Sequence, residues 1–248
     1  MTHRRGPTAH SPRPPDRWAA TPWVVPICSL VWPVVDALVT TLLTAALVME
    51  RMQVYWHRRN LRPHPNPALS TALTAAKRDG GGVVPVFVLD DAILAHADGL
   101  GVAFMLGSLR TLRAWYEDHG SDLVIQHGDP TDVVHRIANA VAADRVVWNH
   151  DHSRLARGRD RAVKRALTRT DVAYRTVPND DPPGRDAAEL PADPAAHLVD
   201  TETLPVETQP VPRLTQLGDG AYDAAPLVAG TETARKRLRA LANGTTYR

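Results

Sequence analysis

With 248 residues, 44% of them hydrophobic and 23% charged, the chain has the composition of a soluble globular protein with one large core or two small ones. Its formal net charge of +2 does not by itself indicate nucleic-acid binding, because phosphate binding requires clustered lysines and arginines. The only cysteine, Cys28, excludes an intrachain disulfide, and a reducing, cytoplasmic location is expected.

Residues 1–51 differ in composition from the rest of the chain. A Pro/Arg-rich start leads into residues 23–49, which are long and apolar enough to cross a bilayer as a helix. Two prolines and Asp36 count against such a helix, because proline interrupts helices and a central carboxylate is costly in lipid. Three interpretations stay open: a membrane anchor, a buried hairpin, or a start of translation at or just before Met52.

From Met52 the sequence alternates short apolar runs with longer amphipathic runs. The short runs predict five strands, at residues 53–56, 83–91, 123–126, 145–148 and 172–177. The longer runs predict four helices, at residues 66–81, around 105–116, at 130–141 and at 153–169. Strands separated by helices in this way predict an α/β fold: a five-stranded parallel, doubly wound (Rossmann-like) sheet with helices on both faces.

Capping residues and apolar spacing predict where two of the helices begin and which face of another is buried. Asn66 and Asp129 each precede a proline, an arrangement typical of an N-cap followed by the first helical residue. The helix at 153–169 is highly charged, and its apolar spacing predicts a buried face made of Leu155, Ala162, Val163, Ala166 and Leu167.

The regular pattern stops after Val177. Residues 178–229 are rich in Pro, Asp and Glu and have no sustained period, which predicts a polar linker that is extended or disordered. A last helix is predicted at 232–242, within a C-terminal segment of residues 230–248. The predicted α/β domain therefore occupies residues 52–177.

Ligands of doubly wound sheets bind beyond the carboxyl ends of the strands. The candidates there are His57–Arg59 after the first strand, Asp90 and Asp91 after the second, His127–Asp129 after the third, and Asn149–His152 after the fourth. Each of them can instead cap a helix or pair with a neighbouring charge, and Asp129 is expected to do only that.

Several motifs that would name a reaction are missing from the sequence. There is no G-x-G-x-x-G after the first strand, no P-loop and no G-x-S-x-G elbow. His150 and His152 would point the same way from an extended loop, but the sequence supplies no third metal ligand, so no metal site is expected. Motifs alone therefore leave the activity open.

Four blocks of the chain do match a known pattern, in order and with its spacing. They are "VYWHRRNLRPHPNPAL" (54–69), "VVPVFVLDDAIL" (83–94), "VAFMLGSLRTLRAWYEDHGSDLVIQHGDP" (102–130) and "VVWNHDHSRLARGRD" (146–160). Together they resemble the DNA photolyase and cryptochrome family, specifically its N-terminal α/β domain. A fainter similarity, at Gly230, Ala234, Leu238 and Tyr247, resembles the family's helix that leads into the flavin domain.

The resemblance implies a role for the carboxyl edge of the sheet. In this family the α/β domain lies against a helical flavin domain and can hold a light-harvesting antenna pigment, either a folate or a deazaflavin. The pocket implied for this chain involves Trp56, Arg58, Asp90, Asn149 and Asp151.

The sequence also departs from the family's pattern. Asn60 and Pro65 stand where aspartates are usual, and His152 stands where tyrosine is usual. Leu155 and Ala156 replace the Asn–Glu pair of folate-binding members, and neither can hydrogen-bond a pterin. The resemblance therefore favours a deazaflavin, or no pigment, over a folate.

In the family, FAD and most of the DNA-binding groove belong to the helical domain, so neither FAD nor DNA is expected to bind this chain alone. Three interpretations follow: a photolyase-lineage protein without its catalytic half and inactive alone, one half of a split photolyase with the flavin domain on a separate chain, or a non-enzymatic pigment- or nucleotide-binding module. The third could be membrane-tethered through residues 23–49. An uncovered apolar surface would favour self-association.

Overall fold

The computed structural model describes residues 51–178 and 189–217, together with Arg239. The apolar stretch at 23–49 lies outside the described residues, and so does the predicted helix at 232–242 apart from Arg239. Within the described ranges, no helix has both the length and the hydropathy needed to cross a membrane.

A single parallel sheet organises the described chain. Its strands are β1 (Gln53–His57), β2 (Val83–Leu89), β3 (Val124–His127), β4 (Arg145–Asn149) and β5 (Ala173–Val177). They lie in the order β3-β2-β1-β4-β5, and every neighbouring pair is parallel. The predicted five-stranded, doubly wound sheet is thereby confirmed.

Five α-helices connect the strands. They are α1 (Pro67–Asp79), α2 (Asp91–Leu94), α3 (Gly99–Glu117), α4 (Pro130–Ala140) and α5 (Arg154–Thr168). Both predicted caps form: the side chain of Asn66 accepts a hydrogen bond from Leu69 N, and that of Asp129 accepts one from Thr131 N. The single turn α2 was not predicted, because Asp90 caps it directly after the strand, with no apolar period to mark it.

The alternation of side chains along the strands divides the core into two layers. On one face, Tyr55 and Val147 pack against α1, while Phe87 and Ile125 pack against α3. On the other face, the cluster that contains α4 and α5 includes alternate valines of the strands and two tryptophans, Trp56 and Trp148. The central strand β1 is buried throughout because helices cover both faces.

One predicted helix face is wrong in part. Leu155 is 55% exposed, whereas Ala156 is 1% exposed and Asp160 is 5% exposed. The buried face of α5 continues through Val163 and Leu167, so it includes an aspartate that a count of apolar residues cannot assign to the core. Ala162 is only half-buried, while the predicted burial of Val163, Ala166 and Leu167 is confirmed.

Residues 189–217, here called the strap, run along the β3 edge of the sheet. The strap contains three short 3₁₀ turns, at Ala195–His197, Thr201–Thr203 and Leu214–Gln216. Thr208 Oγ1 accepts from Ile125 N at 3.0 Å and donates to Leu123 O at 3.0 Å, and Gln209 N donates to Ile125 O at 2.8 Å. These bonds satisfy backbone groups of an edge strand that would otherwise be open to another chain.

The strap is also anchored at the amino ends of the strands. Val199 N donates to Val83 O at 3.1 Å, and Leu198, Val199 and Leu204 pack against the core clusters. The polar composition predicted a linker here, and the path is indeed irregular. Residues 189–217 are nevertheless part of the folded unit, because a few well-placed apolar side chains and backbone hydrogen bonds suffice to fix them.

The corrected face of α5 predicts opposite responses at adjacent positions. Ala156→Leu should destabilise the fold by about 1–3 kcal/mol, because added methylenes have no space in a packed core. Leu155→Ala should change stability by less than about 0.5 kcal/mol, because the side chain is mostly in solvent. Urea unfolding of both variants measures the difference, and a larger cost for Leu155→Ala would contradict the described face.

Candidate functional site

The carboxyl ends of β1, β2 and β4 form the candidate site. The β1–α1–β2 connection lies on one face of the sheet and the α4 crossover into β4 on the other, so the winding direction changes between β1 and β4. A crevice opens at such a point because the chain leaves the two neighbouring strands in opposite directions.

One opening there is a cavity of about 510 Å³, here called the Trp56 cavity. Its walls are mainly aromatic and aliphatic, with a few cations. The lining includes Trp56, Phe87, Val88, Ile93, Phe104 and Met105, together with Ser108, Arg58 and Arg159. Cavities of this size and character are typical of small-molecule sites.

Two guanidinium groups lie over the ring of Trp56. The Cζ atom of Arg58 is 5.0 Å from the ring centroid and that of Arg159 is 5.6 Å from it. Both cations are paired with carboxylates, since Arg58 Nη1 lies 2.7 Å from Asp160 Oδ1 and Arg159 Nη1 lies 2.9 Å from Asp90 Oδ2. The charges are therefore held in place beside the aromatic face by ion pairs and by cation–π attraction.

Asp90 lies beside the Trp56 cavity but does not line it. One of its carboxylate oxygens pairs with Arg159, and the other accepts from Ala92 N at 2.9 Å. Both oxygens thus have structural partners. Asp90 fixes Arg159 and starts α2, and its place at the strand end is the reason that it was predicted as a ligand residue.

A second cavity of about 340 Å³ adjoins the first and is more polar. It is lined by Arg58, Arg59, Asn60, Arg62, Asn149, His150, Asp151 and His152. Arg58, Arg59, Asn60 and Arg62 line both cavities. Of the five predicted pocket residues, Trp56 lies at the first cavity, Asn149 and Asp151 at the second, Arg58 at both, and Asp90 at neither.

Asp151 is held as an anion by its neighbours. Burial by itself would raise the pKa of its carboxyl, but hydrogen bonding from the backbone N–H of Ser153 and the nearby Arg59 and Arg58 bring the pKa below its usual value. Ser153 N donates to Asp151 Oδ1 at 2.9 Å, and Arg59 Nη1 lies 3.3 Å from the same oxygen. The carboxylate therefore orders the loop before α5 and orients Arg59.

His57, another residue predicted at the strand mouth, is a neutral core histidine. Its Nδ1 lies 3.2 Å from the carbonyl oxygen of Asn60, an acceptor only, so Nδ1 carries the proton. Its Nε2 then accepts from the hydroxyl of Tyr116 at 2.7 Å. Burial lowers the pKa of His57 to about 3, opposed by the Asn60 carbonyl, so the ring is uncharged at neutral pH.

Of the remaining candidates, His127 and Asp129 lie apart from the two cavities, whereas His150 and His152 line the second. His127 Nε2 lies 2.6 Å from Asp91 Oδ1 at an exposed position, and Asp129 caps α4 as predicted. The rings of His150 and His152 meet edge to face, with centroids 4.5 Å apart. Across residues 51–178 and 189–217, no group of three or more His, Cys, Asp or Glu could hold a metal ion.

Several site residues were missed from the sequence. Arg159 and Asp160 lie inside α5, and Phe104, Met105 and Ser108 lie inside α3, whereas the prediction considered only residues directly after strands. One available signal was Asp160, an acidic residue in a helix dominated by arginines, whose pairing with Arg58 ties α5 to the end of β1.

Removal of the carboxylate at position 160 should be costly. Asp160→Asn leaves the side chain of Arg58, which is 3% exposed, without its closest countercharge, and an unpaired buried charge costs roughly 3 kcal/mol. Denaturant unfolding measures the loss. The matched control is Asp79→Asn, whose partner Arg78 is exposed and which should leave stability nearly unchanged. Equal effects of the two changes would contradict the role given to Asp160.

The neutral state of His57 predicts a specific pH dependence. The unfolded chain binds a proton at His57 below about pH 6.5, while the folded protein does so only near pH 3, so acid favours unfolding. Between about pH 7 and pH 4 the wild type should lose roughly 3 kcal/mol relative to His57→Gln, whose amide can replace both hydrogen bonds but does not titrate. Urea titrations at stepped pH measure this difference, and parallel curves for the two proteins would contradict it.

Comparisons with known proteins agree with the geometry. The sequence model of the DNA photolyase family matches residues 53–180, just over half of the chain. A deoxyribodipyrimidine photo-lyase from Halobacterium salinarum is 39% identical over 79% of this chain and 47% of its own length. The 79% of the chain that matches is more than residues 1–180 contain, so the matched region must extend beyond residue 180 and into the strap.

Two solved structures share the fold. A class III photolyase from Agrobacterium tumefaciens has a TM-score of 0.59 at 22% identity, covering 79% of this chain and 45% of its own. A cryptochrome from Synechocystis has a TM-score of 0.61 at 15% identity, covering 77% and 46%. The chain thus spans less than half of the length of each of these proteins. The match of the family model, together with the predicted and observed fold, shows that the chain belongs to the DNA photolyase family and that its sheet is that of the family's N-terminal α/β domain.

Proposed function

We propose that the α/β domain holds a light-harvesting antenna pigment, a deazaflavin, in the Trp56 cavity. The observation that carries this proposal is a cavity of about 510 Å³ at the carboxyl edge of the sheet, whose walls combine aromatic and aliphatic side chains with arginines. A planar heterocycle suits such walls, because rings gain from offset or edge-to-face contact with aromatic side chains. Phe87 and Phe104 supply these contacts in addition to Trp56.

The residues around α5 favour a deazaflavin over a folate. Leu155 and Ala156 stand where folate-binding relatives have hydrogen-bonding side chains. Leu155 points largely into solvent and Ala156 is buried against the core, so neither offers a donor or acceptor to a pterin. A deazaflavin depends less on these positions, because the guanidinium groups beside Trp56 can donate hydrogen bonds to its oxygen atoms.

In this proposal the pigment passes its excitation to a flavin bound by a further domain or by a separate chain. Photorepair of DNA depends on that flavin, since the cofactor carries the electron transfer. The α/β domain described here, without an FAD-binding domain, is therefore proposed to be inactive in repair on its own. A cytoplasmic location, where the lineage would meet DNA, belongs to the same proposal.

Titration with 5-deazariboflavin tests the pigment site. Phe104→Ala removes an aromatic wall of the cavity and should weaken binding about 5-fold, the loss expected for one aromatic contact. Leu100→Ala is the matched control, since Leu100 is similarly exposed, lies one turn away on α3 and does not line the cavity. Pigment fluorescence reports both affinities.

Two results would reject the proposal. One is an absence of binding at the highest soluble pigment concentration. The other is an equal loss of affinity in Leu100→Ala and Phe104→Ala, which would place the pigment on the outer surface of α3 instead of in the cavity.

A further inference from the structure

The outer face of α5 carries a row of arginines, here called the arginine stripe. It consists of Arg154, Arg157, Arg161, Arg165 and the C-cap Arg169, all of them exposed. Successive members are three or four residues apart, so they lie on one face of the helix, opposite the face that packs on the sheet. At the rise of an α-helix, the stripe is about 22 Å long.

The arginine stripe has little countercharge around it. Within residues 51–178 and 189–217, no carboxylate lies within salt-bridge distance of a stripe arginine, whereas Arg113 on α3 is paired with Asp122 at 2.7 Å. The two acidic residues between positions 152 and 178 are Asp160, which is buried, and Asp171, which is exposed after the end of the helix. The net charge of +2 for the whole chain therefore conceals a local concentration of cations.

The spacing and chemistry of the stripe fit a phosphate backbone. Guanidinium groups bind phosphate oxygens in a bidentate manner, and a straight row of about 22 Å can follow several successive phosphates of a duplex. A helix that lies on a membrane inserts its apolar face into the lipid. The apolar face of α5 is instead buried against the sheet, which favours nucleic acid over a lipid surface.

We propose that the arginine stripe binds the phosphate backbone of double-stranded nucleic acid, independently of base sequence and of damage. None of the five arginines lines the Trp56 cavity or the second cavity, so binding at the stripe does not depend on the pigment site. The family resemblance assigns the DNA-binding groove to the helical domain and predicts no DNA binding by this chain alone. The stripe would be a separate contact surface on the α/β domain itself.

Titration of the full chain into a labelled, undamaged DNA duplex tests this proposal. Fluorescence anisotropy should give a dissociation constant on the order of 10 μM at about 50 mM salt, the range of sequence-independent binding. With about four phosphate contacts, the affinity should fall about 100-fold between about 50 and 200 mM salt. Duplexes of different sequence should bind equally well, because the backbone is the same in all of them.

A double variant in the middle of the stripe assigns the binding to α5. Arg157→Gln combined with Arg161→Gln should weaken duplex binding about 20-fold at about 50 mM salt and reduce the logarithmic salt dependence by about 2. Both side chains are exposed and unpaired within the described residues, so the urea unfolding midpoint should stay at the wild-type value. A loss of binding then reports the contact and not the fold.

The matched control removes the same charge from elsewhere. Arg175 and Arg213 are both exposed. Arg175 points to the sheet face opposite α5, because its neighbour Tyr174 contacts Trp148 on the α5 side, and Arg213 lies in the strap beside α3. Arg175→Gln combined with Arg213→Gln should weaken duplex binding less than about 2-fold, since no phosphate contact is lost.

Three results would overturn the proposal. One is an absence of duplex binding at about 50 mM salt. Another is an equal loss of affinity in the stripe variant and the control variant, which would make the binding a response to net charge. The third is binding to phosphatidylserine vesicles without binding to the duplex, which would assign the stripe to a lipid surface.

Discussion

The ion pair between Arg58 and Asp160 joins the end of the central strand to the helix that covers it. Arg58 follows β1 directly, and its guanidinium lies between the ring of Trp56 and the carboxylate of Asp160. The other oxygen of Asp160 accepts from the indole N–H of Trp148 at 3.3 Å. One carboxylate thus fixes the ends of β1 and β4 against α5, and the shape of the crevice depends on it.

The alternation of side chains along β1 places ionised side chains on one face of the sheet and neutral polar side chains on the other. Tyr55 and His57 point toward α1 and α3, where hydroxyl, amide and neutral imidazole groups satisfy one another. Trp56 and Arg58 point toward α5, where the buried groups are ionised. This separation is favourable, because a neutral histidine and a buried cation each require surroundings that would destabilise the other.

The same arrangement gives the crevice two kinds of wall. Aromatic and aliphatic side chains of β2 and α3 line the Trp56 cavity, while the loop after β1 brings arginines to the second cavity and the loop after β4 brings His150, Asp151 and His152. Since those arginines are partly neutralised by Asp151 and Asp160, the cations are held in place without a large unpaired charge.

The sequence by itself determined the elements and their order. Continuous apolar runs such as 83–89 must be buried on both faces, and the Asn66–Pro67 and Asp129–Pro130 pairs start helices by local hydrogen bonding, so neither depends on distant residues. The tertiary structure alone decided which charged side chains and edge backbone groups pair with one another. Asp160 is buried because Arg58 meets it across about a hundred residues of chain, the strap folds because the open edge of β3 offers it hydrogen bonds, and Asp90 pairs with Arg159 instead of lining the cavity. A sequence pattern predicts structure that neighbouring residues stabilise by themselves. A buried charge or an edge contact is stabilised only by a group that the fold brings to it from elsewhere in the chain.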